Sequence, residues 1–353
     1  MRYEVNVTER VLHFKQPAGT SRGVYTERRV WLVSVSDGVN VGVGECAPLP
    51  DLSCDALPDY ADILNKVCED FSSTGQLDYE QLRDYPSMLF GLETALLSLR
   101  SPNYLFDTAF ARGEVGIPIN GLVWMGNYDE MLQRMEEKLA QGFRCIKLKI
   151  GAINFDDELD LIKRIRQRFS HHEVELRLDA NGAFHFVPES AFSDAQRDDA
   201  LYKLELLSQY NIHSIEQPIR QGQWGFMAAL CRESPLRIAL DEELIGVNDP
   251  EMKRHMLSII KPAYIVLKPS LHGGIMGCRE WIDAARDLGI GSWITSALES
   301  NIGLNAIAQF CSSVYGDNIT MPQGLGTGQL FTDNIPMPLE IRDNRLWIVR
   351  TKD

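Results

Sequence analysis

The chain has 353 residues, 44% hydrophobic and 24% charged, the proportions of a folded globular protein rather than a disordered one. Its formal net charge of -14 argues against a nucleic-acid partner, because binding phosphates needs basic surface. It is compatible with a small anion in a pocket whose own cations reverse the local field. The seven cysteines are odd in number and form no CxxC pair, so reduced thiols are expected rather than a disulfide framework. No apolar run reaches the length of a membrane span and the opening MRYEVNVTERVLHF alternates like a strand, so no membrane insertion and a cytoplasmic setting are expected.

Two runs, YEVNVTERVLHF and TERRVWLVSVSDG, read as antiparallel strands joined by a loop over residues 19–23. VGVGECAPLPDLSCD reads as a third strand running into a Gly- and Pro-rich loop. ALPDYADILNKVCEDF and SMLFGLETALLSLR have the spacing of amphipathic helices, so residues 1–112 are expected to form a small α+β domain. From IPINGLVWM onward, strand and helix alternate. YDEMLQRMEEKLAQG, DDELDLIKRIRQRF, DDALYKLELLSQY, a stretch near 249–260, GIMGCREWIDAARDLG and GLNAIAQFC are the predicted helices. CIKLKIG, VELRLDANG, HSIEQP, RIALDEE, YIVLKPS and SWITSALES are the predicted strands between them. Seven or eight such units predict a (β/α)8-type barrel over residues 113–330, with residues 331–353 returning to the first domain. An open doubly wound sheet is the weaker choice, because no GxGxxG follows a first strand.

Five charged residues recur at one kind of place in this pattern: Lys149, Asp179, Glu216, Asp241 and Lys268 each fall at or just past the end of an apolar strand. In CIKLKI, Ile146, Leu148 and Ile150 share the face that packs on helices, so Lys147 and Lys149 point into the barrel. Any one acid could be an ordinary helix cap. Asp179, Glu216 and Asp241, on three consecutive units at the C-terminal mouth, can converge on one ion. All-oxygen donors favour Mg²⁺, with Mn²⁺ as a substitute, over Zn²⁺. Lys149 and Lys268 then flank the acids from nearly opposite strands.

These residues resemble the pattern of the enolase superfamily, in its muconate-lactonising-enzyme subgroup. KLK at 147–149 is similar to the family's K-x-K, and LDAN, IEQP, LDEE and LKPS to the strands that follow it. SWITSALES has no His and ITMPQGLGTG no D-x-D, which sets the chain apart from mandelate-racemase-like and dipeptide-epimerase-like members. GLGTGQLFTDNI and SALESNIGL look like the o-succinylbenzoate synthases.

The resemblance implies an N-terminal capping domain completed by the C-terminal tail, a Mg²⁺ held by Asp179, Glu216 and Asp241, and Lys149 and Lys268 as catalytic lysines. It implies syn dehydration of 2-succinyl-6-hydroxy-2,4-cyclohexadiene-1-carboxylate to o-succinylbenzoate, in menaquinone biosynthesis, through an ene-diolate. Lys149 would be the acid/base, and Lys268 a cation against the other face of the ring. Racemisation of N-succinyl or other N-acylamino acids, or another lysine-dependent cycloisomerisation, is the alternative on the same scaffold. Supporting roles are expected for Lys147 and Asn181, a contact near the metal for Glu242, and substrate contacts for Ser296, Ser270 and Arg22. Residues 19–23 and the Pro48–Leu52 segment resemble loops that close over such a site. Arg177, one layer lower, is expected to form an ion pair inside the barrel.

Overall fold

The structure, a computed structural model, describes residues 3–20, 23–101, 104–184 and 194–350. Antiparallel β1 (Glu4–Thr20), β2 (Gly23–Ser36) and β3 (Val41–Cys46) form a three-stranded sheet. Its helices are α1 (Tyr60–Thr74), the short α2 (Tyr79–Leu82) and α3 (Pro86–Arg100). The α1 helix begins four residues later than the run ALPDYADI predicts, past Pro58, whose ring disfavours the helical conformation at the preceding Leu57. Gly42 and Gly44 explain why a glycine-rich segment serves as β3: a Cβ on either would collide with the backbone of α3 at Ala95 and Gly91. The inward parity of β2 changes along its length, with Arg28 and Val30 buried in the first half and Val33 and Val35 in the second. One half therefore faces the barrel and the other packs against α1 and α3.

The remaining chain carries β4 (Ile117–Pro118), β5 (Gly121–Val123), α4 (Tyr128–Ala140), β6 (Cys145–Lys149), α5 (Phe155–Arg168), β7 (Glu175–Asp179) and α6 (Asp194–Ser208). It continues with β8 (Ser214–Glu216), α7 (Trp224–Glu233), β9 (Ile238–Leu240), α8 (Pro250–Ile260), β10 (Tyr264–Leu267), α9 (Gly274–Asp287), β11 (Gly291–Ile294) and α10 (Asn301–Tyr315). The seven strands β5 to β11 lie side by side in chain order, all parallel. The eighth position is filled by two residues. Gln323 bridges Ile119 and Gly324 bridges Thr295, both in the parallel sense, and complete the ring. The predicted strand IPINGLVWM is divided: β5 joins the barrel, whereas β4 pairs with β13 (Arg345–Ile348), itself hairpinned to β12 (Leu339–Arg342).

Side chains of alternate parity separate two environments. Ile146, Leu148, Leu176, Leu178, Ile215, Leu240, Ile265 and Leu267 face the helices in the main core. Ala239, Val266 and Trp293 fill the barrel's interior with Tyr264 and Met321. Arg177 lies in that lower layer, its guanidinium 4.7 Å from the Trp293 ring and 2.8 Å from Glu175. Three devices join the capping sheet to the barrel. Leu12, Phe14, Ala18 and Leu49 pack on Leu298 and Phe331. Glu45 accepts hydrogen bonds from the N–H groups of Ser300 and Gly303 at the start of α10, and Glu93 from those of Ile275 and Met276 at the start of α9. Two carboxylates of the cap thus satisfy donors that the barrel helices cannot satisfy themselves. The tail touches β1 through the Phe14–Phe331 bridge and the hydrogen bond from Thr332 N to His13 O, before its hairpin runs to β4. Among the described residues no helix is long and apolar enough to cross a membrane.

Candidate active site

Strand register brings the five charged residues together. Lys149 pairs with Asp179 on the neighbouring strand, and Asp179 with Glu216 on the next, so three of them stand at one height. Asp241 and Lys268 each follow the last residue of their strands, β9 and β10. Lys147 Nζ lies 2.9 Å from Glu216 Oε2 and 3.2 Å from Asp179 Oδ2. Lys149 Nζ donates to Asp179 Oδ2 at 3.0 Å and to Asn181 Oδ1 at 2.8 Å. Lys268 Nζ donates to both oxygens of Asp241, at 2.6 Å to Oδ1. Asp179, Glu216 and Asp241 are almost wholly buried.

Burial disfavours every one of these charges, and the local balance decides which survive. On Lys147 burial is outweighed by Glu216, Asp179 and Asp241, so its ammonium is held above the ordinary lysine range. On Asp179 the nearby Lys149 and Lys147 overcome burial and hold the carboxyl well below the usual range. Glu216 goes the other way. Burial and the charges of Asp179 and Asp241 prevail over Lys147 and push its carboxyl up. Burial and Asp241 also raise Glu242, to about 6. The acids outweigh the cations available to them.

The residues just past the strands brace this floor. Asn181 has a left-handed backbone, φ +46°, and its N–H donates to Asp179 Oδ1. Its amide accepts from Lys149 and donates to Glu242 Oε1 at 2.8 Å, so it links three strand ends. Gln217, at φ +40°, accepts from the N–H groups of Asp241 and Glu243 and donates to Glu243 Oε2. Pattern reading passed over Gln217 and Glu243. Their signal was present in the motifs IEQP and LDEE, where polar residues stand one and two places after the ligand-type acid.

Above the floor lies a cavity of about 350 Å³, lined by Lys147, Lys149, Asp179, Asn181, Glu242 and Lys268 below and by Phe14, Lys15, Tyr25 and Leu49 from the cap. Trp124, also missed in the sequence, forms part of its wall, with its ring 6.0 Å from Lys149 Nζ. Ser296 lines the cavity and pairs with Thr327 Oγ1 at 2.5 Å. Its place comes from the chain leaving the strand: Trp293 points inward, so strand parity alone would select Thr295. Ser270 is not on the cavity wall. Its strand ends at Leu267, and its hydroxyl is buried against Glu299. Arg22 lies outside the described residues. The Pro48–Leu52 segment is tied down where it begins. The buried Arg28 guanidinium donates to the carbonyls of Ala47, Pro48 and Leu298, and Tyr25 Oη donates to Pro50 O.

The donor set suits a hard divalent cation: three carboxylates, no nitrogen or sulfur, on neighbouring strands. Glu216 Oε1 is buried and accepts no hydrogen bond among the described residues, an orphan that a cation would satisfy. The ammonium groups of Lys147 and Lys268 lie against the same carboxylates. As placed, no three acid, His or Cys side chains among the described residues are gathered closely enough to hold an ion. The carboxylates must turn from the ammoniums to do so.

Residues 130–351 match the family described as enolase C-terminal domain-like, and residues 2–99 match the MenC N-terminal domain family. An o-succinylbenzoate synthase of Desulfotalea psychrophila is 46% identical, over 94% of this chain and 95% of its own. The crystal structure of MenC from the same organism superposes with a TM-score of 0.82 at 40% identity, covering 99% of this chain and 100% of that one. A muconate lactonizing enzyme from Pseudomonas fluorescens, complexed with muconolactone, has the same fold at 20% identity and a TM-score of 0.78.

Proposed function

The chain belongs to the o-succinylbenzoate synthases of the enolase superfamily, and from that premise we propose how its own residues dehydrate 2-succinyl-6-hydroxy-2,4-cyclohexadiene-1-carboxylate. The observation that carries the reading is the pair of lysines, Lys149 and Lys268, that flank buried acids on the floor of one cavity. A carbon acid beside a carboxylate needs a base on one face and positive charge wherever the electrons go.

Lys149, once deprotonated, takes the proton α to the ring carboxylate, and the C–H electrons move toward that carboxylate. They return to form the ring double bond as the C–O bond breaks. Lys149 hands its proton to the departing hydroxyl on the same face, which leaves as water. One residue serves as base and then acid, as a syn elimination allows. Asn181 Oδ1 orients the Lys149 amine. Lys268, held by Asp241, keeps a positive charge against the opposite ring face, and Lys147 braces Glu216 and Asp179. A divalent cation, Mg²⁺ by preference, held by Asp179, Glu216 and Asp241 would supply positive charge against the substrate carboxylate as negative charge develops. The free thiols at all seven cysteines support a cytoplasmic setting.

The family relationship does not favour the racemase alternative. One experiment separates the two. Purified protein with Mg²⁺ is offered the cyclohexadiene, followed by its ultraviolet absorbance, and separately an N-succinylamino acid in deuterium oxide. Loss of the diene signal that a chelator stops supports the dehydratase. Deuterium incorporation without diene loss would overturn it in favour of racemisation.

A further inference from the structure

The substrate of the proposed reaction carries two carboxylates, and the cavity floor has no positive charge to spare for the second. With Lys149 neutral, as a base must be, Lys147 and Lys268 stand against Asp179, Glu216, Asp241 and Glu242, formally two negative charges in excess. A bound divalent cation, which would meet the ring carboxylate, only balances them. The distal succinyl carboxylate therefore needs a cation of its own.

The cap provides one through an irregularity in its sheet. The β1–β2 register runs as far as His13 opposite Glu27 and resumes at Ala18 opposite Tyr25. Residues 14–17 thus face Thr26 alone, an extended irregularity whose Lys15, Gln16 and Pro17 line the cavity. The bulge is anchored to the barrel: Lys15 N donates to Leu330 O at 2.8 Å, and the Phe14 ring lies 4.6 Å from that of Phe331. The Lys15 ammonium makes no ion pair or side-chain hydrogen bond among the described residues. The neighbouring Asp333 is engaged with His13 at 2.8 Å. The other cations on the cavity rim are engaged too. Arg134 donates to the carbonyls of Trp124 and Met125, and Lys138 lies over the Phe143 ring.

We propose that Lys15 is the subsite for the distal carboxylate of the substrate, presented by the β1 bulge and selecting dicarboxylates over monocarboxylates. The assignment rests on the o-succinylbenzoate reading. Lys15 is exposed, so solvent screens the contact and a preference of about tenfold is expected. The test is calorimetric binding, without turnover, of two ligands to the Mg²⁺-loaded protein: o-succinylbenzoate, and 2-butanoylbenzoate, in which a methyl group replaces the distal carboxylate. Wild type is expected to bind the diacid about tenfold more tightly. In Lys15→Gln that preference should vanish while the monoacid binds as before, and Lys15→Glu should reverse it. A merely structural role would weaken both ligands alike, and that result would overturn the proposal. So would a preference that survives in Lys15→Gln, or one absent from wild type. If neither ligand binds wild type, the o-succinylbenzoate reading falls with it.

Discussion

Asn181 combines a left-handed backbone with an amide that faces two ways, and the proposed chemistry uses both. Its carbonyl oxygen holds the Lys149 amine, and its NH₂ holds Glu242 beside the acids. Asn181→Ala should lower kcat by about 10- to 100-fold, the usual cost of losing a group that orients the reacting one. Its melting temperature should stay close to that of wild type, because the residue is only half-buried. Parallel steady-state kinetics and thermal melts would check this. Residue parity made Lys147, Lys149 and Arg177 legible in the sequence, because each lies inside a strand where side chains alternate strictly. It failed at Ser270 because that residue lies three positions beyond its strand, in a turn. It could not find Lys15, since a bulge breaks the alternation on which the reading depends.

At the scale of elements, several ends are capped from outside. The α3 helix starts with Pro86 and has no capping side chain of its own. Ser87 N and Oγ instead donate to Asp55 Oδ2, at 2.9 and 2.6 Å. Burial pushes the Asp55 carboxyl up to about 6, against the pull of those donors. The folded state therefore favours the proton more than the unfolded chain does. The resulting stability is complete below the unfolded value of about 3.9, falls as pH rises, and is gone above about 6. Asp55→Asn cannot titrate. Its stability relative to wild type should rise by as much as about 3 kcal/mol between pH 4 and pH 7, read from urea midpoints across that range. A flat difference would show that Asp55 is ionised throughout. The eighth barrel strand was not legible as an element: Gln323 and Gly324 are too few to show a period. The division of IPINGLVWM was equally hidden, since β4 is specified by a partner more than 200 residues away, the β13 strand.

For the molecule as a whole, polar contacts join the cap and the barrel across their seam. Arg28 is the densest of these, binding carbonyls from the cap at Ala47 and Pro48 and from the barrel at Leu298. Arg28→Met keeps length but strands these buried acceptors, and a stability loss of about 3–5 kcal/mol is expected by urea unfolding. A loss below about 1 kcal/mol would mean that the Glu45 and Glu93 contacts and apolar packing join the two parts without help from Arg28. The acid-rich floor gives a second global expectation. Mg²⁺ at 100 times its dissociation constant should stabilise the fold by about 2.7 kcal/mol, seen as a higher melting temperature that a chelator reverses. In Glu216→Gln, which removes one ligand charge, that rise should shrink. The composition and the strand-end charges made this overall plan readable, because a barrel repeats one unit and its mouth gathers whatever the strand ends carry.

The most direct test of the account is the rate at which Lys149→Ala consumes 2-succinyl-6-hydroxy-2,4-cyclohexadiene-1-carboxylate, in protein whose melt and Mg²⁺ response match wild type. Loss of about 10³-fold or more in kcat is expected if Lys149 both takes and returns the proton. A rate within tenfold of wild type would contradict the assignment and move the chemistry to another group.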